Sequence, residues 1–233
     1  MPWSSSARSS TLAALTESPI DDAPAAAVDN DVLIKAAAYA LIEQFWPAKS
    51  IGVLGAARYV VTGRIARMDL AGDPATARQA ALELINDATV LEPSKDELRL
   101  ATRVETIAQR RGLSLDAGES QLAAIIVMRG IPLLETGDKR AIRAFEALLD
   151  ELEDLAELRG KLRSLEQIVL RCADAGDPSA LATAICSEPH VDKALSICCR
   201  CFSPPSHGPA FDRAGLESYI HVLRVAAPRV LEP

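Results

Sequence analysis

Leu115-Asp116-Ala117-Gly118-Glu119-Ser120-Gln121-Leu122-Ala123-Ala124-Ile125-Ile126-Val127-Met128-Arg129-Gly130-Ile131-Pro132-Leu133-Leu134-Glu135-Thr136-Gly137-Asp138-Lys139 is the stretch on which the fold turns. Leu122, Ile125, Ile126 and Met128-Arg129 space out a helix of about three turns, and Gly130 stops it. Residues 131–134 then form a short apolar run of the kind buried in a parallel sheet. Loop, helix, tight turn, strand and loop in this order predict an α/β domain. Asp116, Glu119 and Asp138 fall at element ends, and in such a sheet those loops converge on the carboxyl edge of the strands, where ligands bind. Three carboxylates gathered there need a cation.

Residues 24–35 supply a further acid pair. Pro24-Ala25-Ala26-Ala27-Val28 is a small apolar strand that ends in Asp29-Asn30-Asp31 and runs straight into Val32-Leu33-Ile34-Lys35. An aspartate closing the first strand, followed by Asn30-Asp31-Val32-Leu33-Ile34, resembles the opening motif of PIN-domain nucleases. The run from Asp116 to Ile125 resembles their later acidic helix, and Thr136-Gly137-Asp138 is similar to the Thr-x-Asp after their fourth strand. The resemblance covers residues 25–145. It implies a PIN-like central parallel sheet flanked by helices, with Asp29, Glu119 and Asp138 as catalytic metal ligands and Asp116 and Asp31 as further ligands. It also implies Mg²⁺ or Mn²⁺ as cofactor and RNA as substrate.

The chemistry agrees with that ligand set. Mg²⁺ and Mn²⁺ prefer hard oxygen donors and keep bound waters for reaction, so a metal-dependent phosphodiesterase needs several carboxylates at one point. Each acid taken separately also suits a helix N-cap or a turn. One departure from the family pattern stands out. PIN nucleases carry a glutamate on the second helix, whereas here Arg58-Tyr59-Val60-Val61-Thr62 occupies that place and no acid precedes Asp69; Glu43 is the nearest upstream. The departure sets a second reading beside the nuclease, a catalytically degenerate PIN-like binding or regulatory module. A helical interaction protein is a third.

The net charge of −7 argues against a wide nucleic-acid surface. A local basic rim remains open to the chain: Lys139, Arg140 and Arg143 follow Asp138, and Arg58, Arg64 and Arg67 share one expected helix. Lys139, Arg140 and Arg58 are the candidate phosphate contacts, with Thr136 holding phosphate or a ligand-bound water. Either group also reads as a solvated helix face.

The 233 residues are 49% hydrophobic, 24% charged and 4% aromatic, an ordinary globular composition rich in helix formers. Residues 1–23 read as a disordered tail, 24–145 as the PIN-like domain and 146–233 as an all-helical extension. Within the domain, residues 32–46 and 55–68 read as helices and 50–54 as a strand. Asp73-Pro74 opens a helix to about residue 87, residues 89–91 suit a short strand or a connection, and the capping box Ser94…Glu97 opens a helix to about 112. These last two helices are expected to form a hairpin. Residues 141–171 read as helical, with a stripe from Leu148 to Val169. That stripe and a last helix at 210–226 suggest a homodimer or a protein partner covering apolar surface. No run is long enough for a membrane span and no signal-peptide core opens the chain, so a cytoplasmic protein is expected. Five cysteines, an odd number, fit reduced thiols. Cys186-x₃-His190 and Cys198-Cys199-x-Cys201 raise structural zinc, but paired Cys-x₂-Cys knuckles are absent and buried thiols fit better.

Overall fold

The computed structural model describes residues 23–204, 206 and 208–233; of the tail expected at residues 1–23, residues 1–22 lie outside them. Five short strands, β1 Ala26–Val28, β2 Ile51–Leu54, β3 Thr89–Leu91, β4 Leu134–Thr136 and β5 Leu162–Ser164, form one sheet in the order β3-β2-β1-β4-β5. Every pairing is parallel. The helices are α1 Asn30–Ala38, α2 Ile42–Phe45, α3 Ala57–Ile65, α4 Pro74–Asp87, α5 Lys95–Arg110, α6 Ala117–Arg129, α7 Lys139–Leu148, α8 Leu165–Ala175, α9 Pro178–Ser187, α10 Lys193–Cys198 and α11 Arg213–Ala226, with a 3₁₀ turn at Glu153–Leu158.

Strand residues alternate between two cores because successive side chains point to opposite faces. Ala26, Val28, Ile51 and Val53 meet α1, α3, α4, α8 and α9 on one face. Ala27, Leu54, Leu91, Leu134 and Leu162 meet α5, α6 and α7 on the other. A parallel sheet covered on both faces explains why β1 and β2 read as unbroken apolar runs. Helix α11 closes the open end of the sandwich, giving Leu216 and Ile220 to the first core and Leu223 to the second.

The strand order creates a switch point. Strand β1 lies between β2 and β4, and the chain winds outward from it in both directions, so a crevice opens at the carboxyl ends of β1 and β4. Asp29 directly follows β1, and Asp138 follows β4 by two residues.

Several expectations need correction. The extension is not all-helical: β5 lies inside it and pairs with β4 through Leu134–Leu162, Glu135–Arg163 and Thr136–Ser164, so residues 146–233 complete the sheet. The helix expected over residues 141–171 stops after α7 and resumes as α8. Leu158, Leu162 and Leu165 have helical spacing, yet all three are also buried by a turn, a strand and a helix start in succession. The helix expected over 32–46 breaks at Ala40, which takes a left-handed φ of 55°. The strand expected at 131–134 sits three residues later, after Gly130 caps α6 with φ 68°, as glycine does readily. Helices α4 and α5 do not form a hairpin. Strand β3 separates them; α4 packs on α3 and α1, and α5 packs on α6 across the sheet.

Candidate active site at the switch point

Three helix N-termini meet the crevice, and each is capped by one of the acids in question. Asp29 caps α1, accepting the Asp31 amide at 3.4 Å. Asp116 caps α6 and accepts the Glu119 amide at 2.8 Å, while Glu119 accepts the Asp116 amide at 2.9 Å, a reciprocal capping box. Asp138 caps α7, accepting the Arg140 amide at 2.7 Å. The capping role weighed against function is therefore real for these residues, and it is also what aims them at one place.

The electrostatics show that the acids sense one another. Burial pushes the Asp29 carboxyl up to about 6, and the charges of Asp31 and Asp116 push in the same direction. Burial pushes Glu119 up to about 8, with Asp116, Asp138 and Asp29 adding repulsion. Neither forms an ion pair among the described residues. Burial also acts on Asp138, but the hydrogen bonds and charge of Arg140 outweigh it and hold that carboxyl below its ordinary range. Asp31 is neutralised differently: Lys35 bridges it at 2.6 Å to Asp192 at 2.9 Å. Gly137 is the residue that lets Asp31 in, since a Cβ there would collide with its carboxylate.

The five acids thus form one electrostatic neighbourhood, Asp31 and Asp116 acting on Asp29, and Asp116, Asp138 and Asp29 acting on Glu119. Among the described residues, no three His, Cys, Asp or Glu side chains already stand at the spacing of one cation's ligand shell. The donor set itself is hard oxygen throughout and carries excess negative charge, which suits Mg²⁺ or Mn²⁺. Drawing Glu119 into a ligand shell breaks its half of the capping box.

Compared with known proteins, the chain matches no family model, no curated protein and no solved structure.

The candidate phosphate contacts all have partners inside the molecule. Lys139 turns inward to Glu166 at 2.5 Å, Arg140 lies along Asp138 with Nη2 at 2.6 Å, and Arg58 donates to Asn86 on α4 at 3.3 Å. Thr136 is buried, its hydroxyl accepting the Asp138 amide at 3.1 Å in a turn. Arg58 makes no ion pair with the crevice acids among the described residues. Glu43 pairs with Lys49 at 3.3 Å beside the entry to β2, at the opposite edge of the sheet, so it is no substitute for the acid missing from α3. Sequence reasoning passed over Glu92, which follows β3 and lays its carboxylate over Gly55 at the end of β2. A single acid after a three-residue edge strand carries no motif that would mark it.

The thiol expectation also changes. Cys186 and Cys201 form a disulfide with Cα atoms 4.9 Å apart, which removes two of the ligands a zinc site would use. Cys198 and Cys199 are buried, and burial pushes their thiols up to about 11 and about 12. These two are packing residues, as the sequence suggested.

Proposed function

We propose that the protein is a divalent-metal-dependent phosphodiesterase, a PIN-like ribonuclease. The observation that carries the reading is buried Glu119 and half-buried Asp29, gathered with Asp116 at a topological switch point, none of the three forming an ion pair among the described residues. Buried carboxylates that repel one another are expected to ionise only against a proton or a metal. Asp29, Glu119 and Asp138 would hold Mg²⁺ or Mn²⁺, with Asp116 and Asp31 beside them. A cation bound there supplies Lewis-acid stabilisation of phosphate charge and a water of lowered pKa.

The chain's own groups do the remainder. Glu119, pushed up to about 8, carries a proton at neutral pH until a cation displaces it, so cation binding releases a proton. The N-termini of α1, α6 and α7 add positive potential toward an anionic substrate. Arg140 is largely exposed and sits on Asp138; with Asp138 holding the cation, its guanidinium would be the group to meet phosphate.

The test is cleavage of RNA by the purified protein with Mn²⁺, compared with Asp29→Ala and Asp138→Asn. The expected loss in each variant is at least about a hundredfold, the scale of removing one preorganised stabilising group. Equal cleavage by wild type and Asp29→Ala would mean that the activity belongs to a contaminant. The degenerate-module reading draws on the acid missing from α3; inert wild type that still binds RNA would establish it.

A further inference from the structure

A second cavity adjoins the acids on the α3 side. It has a volume of about 300 Å³, at the small end of ligand pockets, and Asp31, Lys35, Arg64, Asp69, His190 and Val191 are among the residues that line it. Its walls are held by a buried carboxylate outside the acid crevice: Glu188, 5% exposed, accepts the Ala71 amide at 2.8 Å and the Gly72 amide at 2.6 Å. That contact binds the α3–α4 loop to the segment carrying His190. Lys35 is already shared by two carboxylates, whereas Arg64 makes no ion pair or side-chain hydrogen bond among the described residues. Arg64 is thus the uncommitted cation of this cavity.

An aromatic pair stands at the same rim. The ring of Phe202 lies 6.3 Å from that of His190, tilted by 44°, and Phe202 is 61% exposed. The disulfide from Cys186 to Cys201 anchors the chain at the residue before Phe202. A solvent-exposed phenylalanine facing His190, which lines the same cavity as the uncommitted Arg64, offers a stacking face and a phosphate contact at one cavity. Single-stranded nucleic acid is bound by that combination, because only unpaired bases present a free π-face.

We propose that this cavity is the subsite for a nucleotide of single-stranded RNA flanking the scissile phosphodiester, its phosphate on Arg64 and its base against Phe202 and His190. The assignment rests on the phosphodiesterase reading for what happens next door, but its test does not. The strand runs from the acid crevice over Asp31, which lines both, into the cavity. Each nucleotide-sized group is then fixed by charge at one end and stacking at the other.

Fluorescence anisotropy of a labelled oligouridylate, with EDTA present to prevent cleavage, measures the subsite alone. Arg64→Glu is expected to weaken binding at least about tenfold and Phe202→Ala about five- to tenfold. Arg64→Ala should lower the slope of log affinity against log salt by about 0.7, one phosphate contact on a single strand. Arg99→Glu, the same charge reversal on the exposed side of α5, should have a much smaller effect. Circular dichroism confirms that the variants fold, which is expected because Arg64 and Phe202 are exposed. Wild-type affinity in Arg64→Glu, equal losses in Arg64→Glu and Arg99→Glu, or duplex bound as tightly as single strand would each overturn the subsite. Hydrolysis of bis(p-nitrophenyl) phosphate with Mn²⁺, a substrate too small to need the cavity, separates the two ideas. Its absence, with Arg64-dependent binding intact, counts against hydrolysis and leaves the subsite standing.

Discussion

The molecule buries carboxylates in two regions and treats them in opposite ways. Beside β5, Glu135 receives Arg163 at 2.7 Å and the Trp46 indole at 2.7 Å, and the same Arg163 grips Glu232 through two further bonds of 2.6 and 2.7 Å. Nearby Glu146 accepts the Arg229 guanidinium at 2.5 Å and two backbone amides at 2.9 and 3.1 Å. At the switch point, Asp29, Asp116 and Glu119 have backbone amides and one another. Glu119 is as buried as Glu135 and Glu146, whereas Asp29 is half-buried and Asp116 exposed, so burial alone does not mark a site. What marks it is that Asp29, Asp116 and Glu119 form no ion pair among the described residues, the nearby Arg140 being paired to Asp138 instead. A carboxylate so placed is costly to ionise unless a ligand supplies the charge.

The largest expected effect tests the paired region. Arg163→Met should destabilise the protein by about 3–5 kcal/mol, because Glu135 is left buried and charged. Glu135→Gln in that background should recover part of the loss. Urea unfolding measures both, and a cost below about 1 kcal/mol would erase the contrast between the two regions.

Glu119→Gln should act in the opposite direction, and only above acid pH. The folded-state pKa is raised from 4.5 to about 8, so the native state holds a proton that the unfolded chain has released. Stability tied to that proton is full below pH 4.5 and is lost as pH rises through 8. Without metal, the Glu119→Gln substitution should therefore flatten the decline, gaining on the order of 2 kcal/mol at about pH 8, since the amide still serves the capping box. Parallel stability–pH curves for wild type and variant would contradict the raised pKa.

Asp29→Asn sharpens the same point for the cation. The variant should be at least as stable as wild type without metal, by up to about 1 kcal/mol, and should lose the rise in Tm that Mn²⁺ gives the wild type. An unchanged Mn²⁺ response would remove Asp29 from the ligand set.

Arg140→Ala should have the smallest effect on stability, because Arg140 itself is largely exposed. Its clearer signature is titration: without Arg140, the Asp138 carboxyl should move up toward its buried neighbours, visible by NMR. A carboxyl that stays low would show that the amides at the start of α7 suffice.

Sequence and structure divide along physical lines. Asp29, Asp73, Ser94, Asp116 and Asp138 were legible as cap residues, because a cap is a bond between a side chain and an amide two or three residues on. The α/β class was legible from short apolar runs alternating with helical spacing. Strand β5 was not: Leu162 fits a heptad-like stripe equally well, and only pairing with β4 decides that Leu162-Arg163-Ser164 is extended. The partners of Lys139 and Arg58 were equally hidden, since an ion pair such as Lys139 to Glu166 is set by where α8 packs. The disulfide required Cys186 and Cys201 to meet across a loop that spacing cannot close on paper. Local bonds determine which acids point at an element's end, so the sequence by itself determined the candidates at the crevice. Long-range packing determines which charges meet. Only the tertiary structure therefore decided that Glu135 would be neutralised, that Asp29 and Glu119 would not, and that Arg64 would line a cavity with Asp31 while forming no ion pair among the described residues.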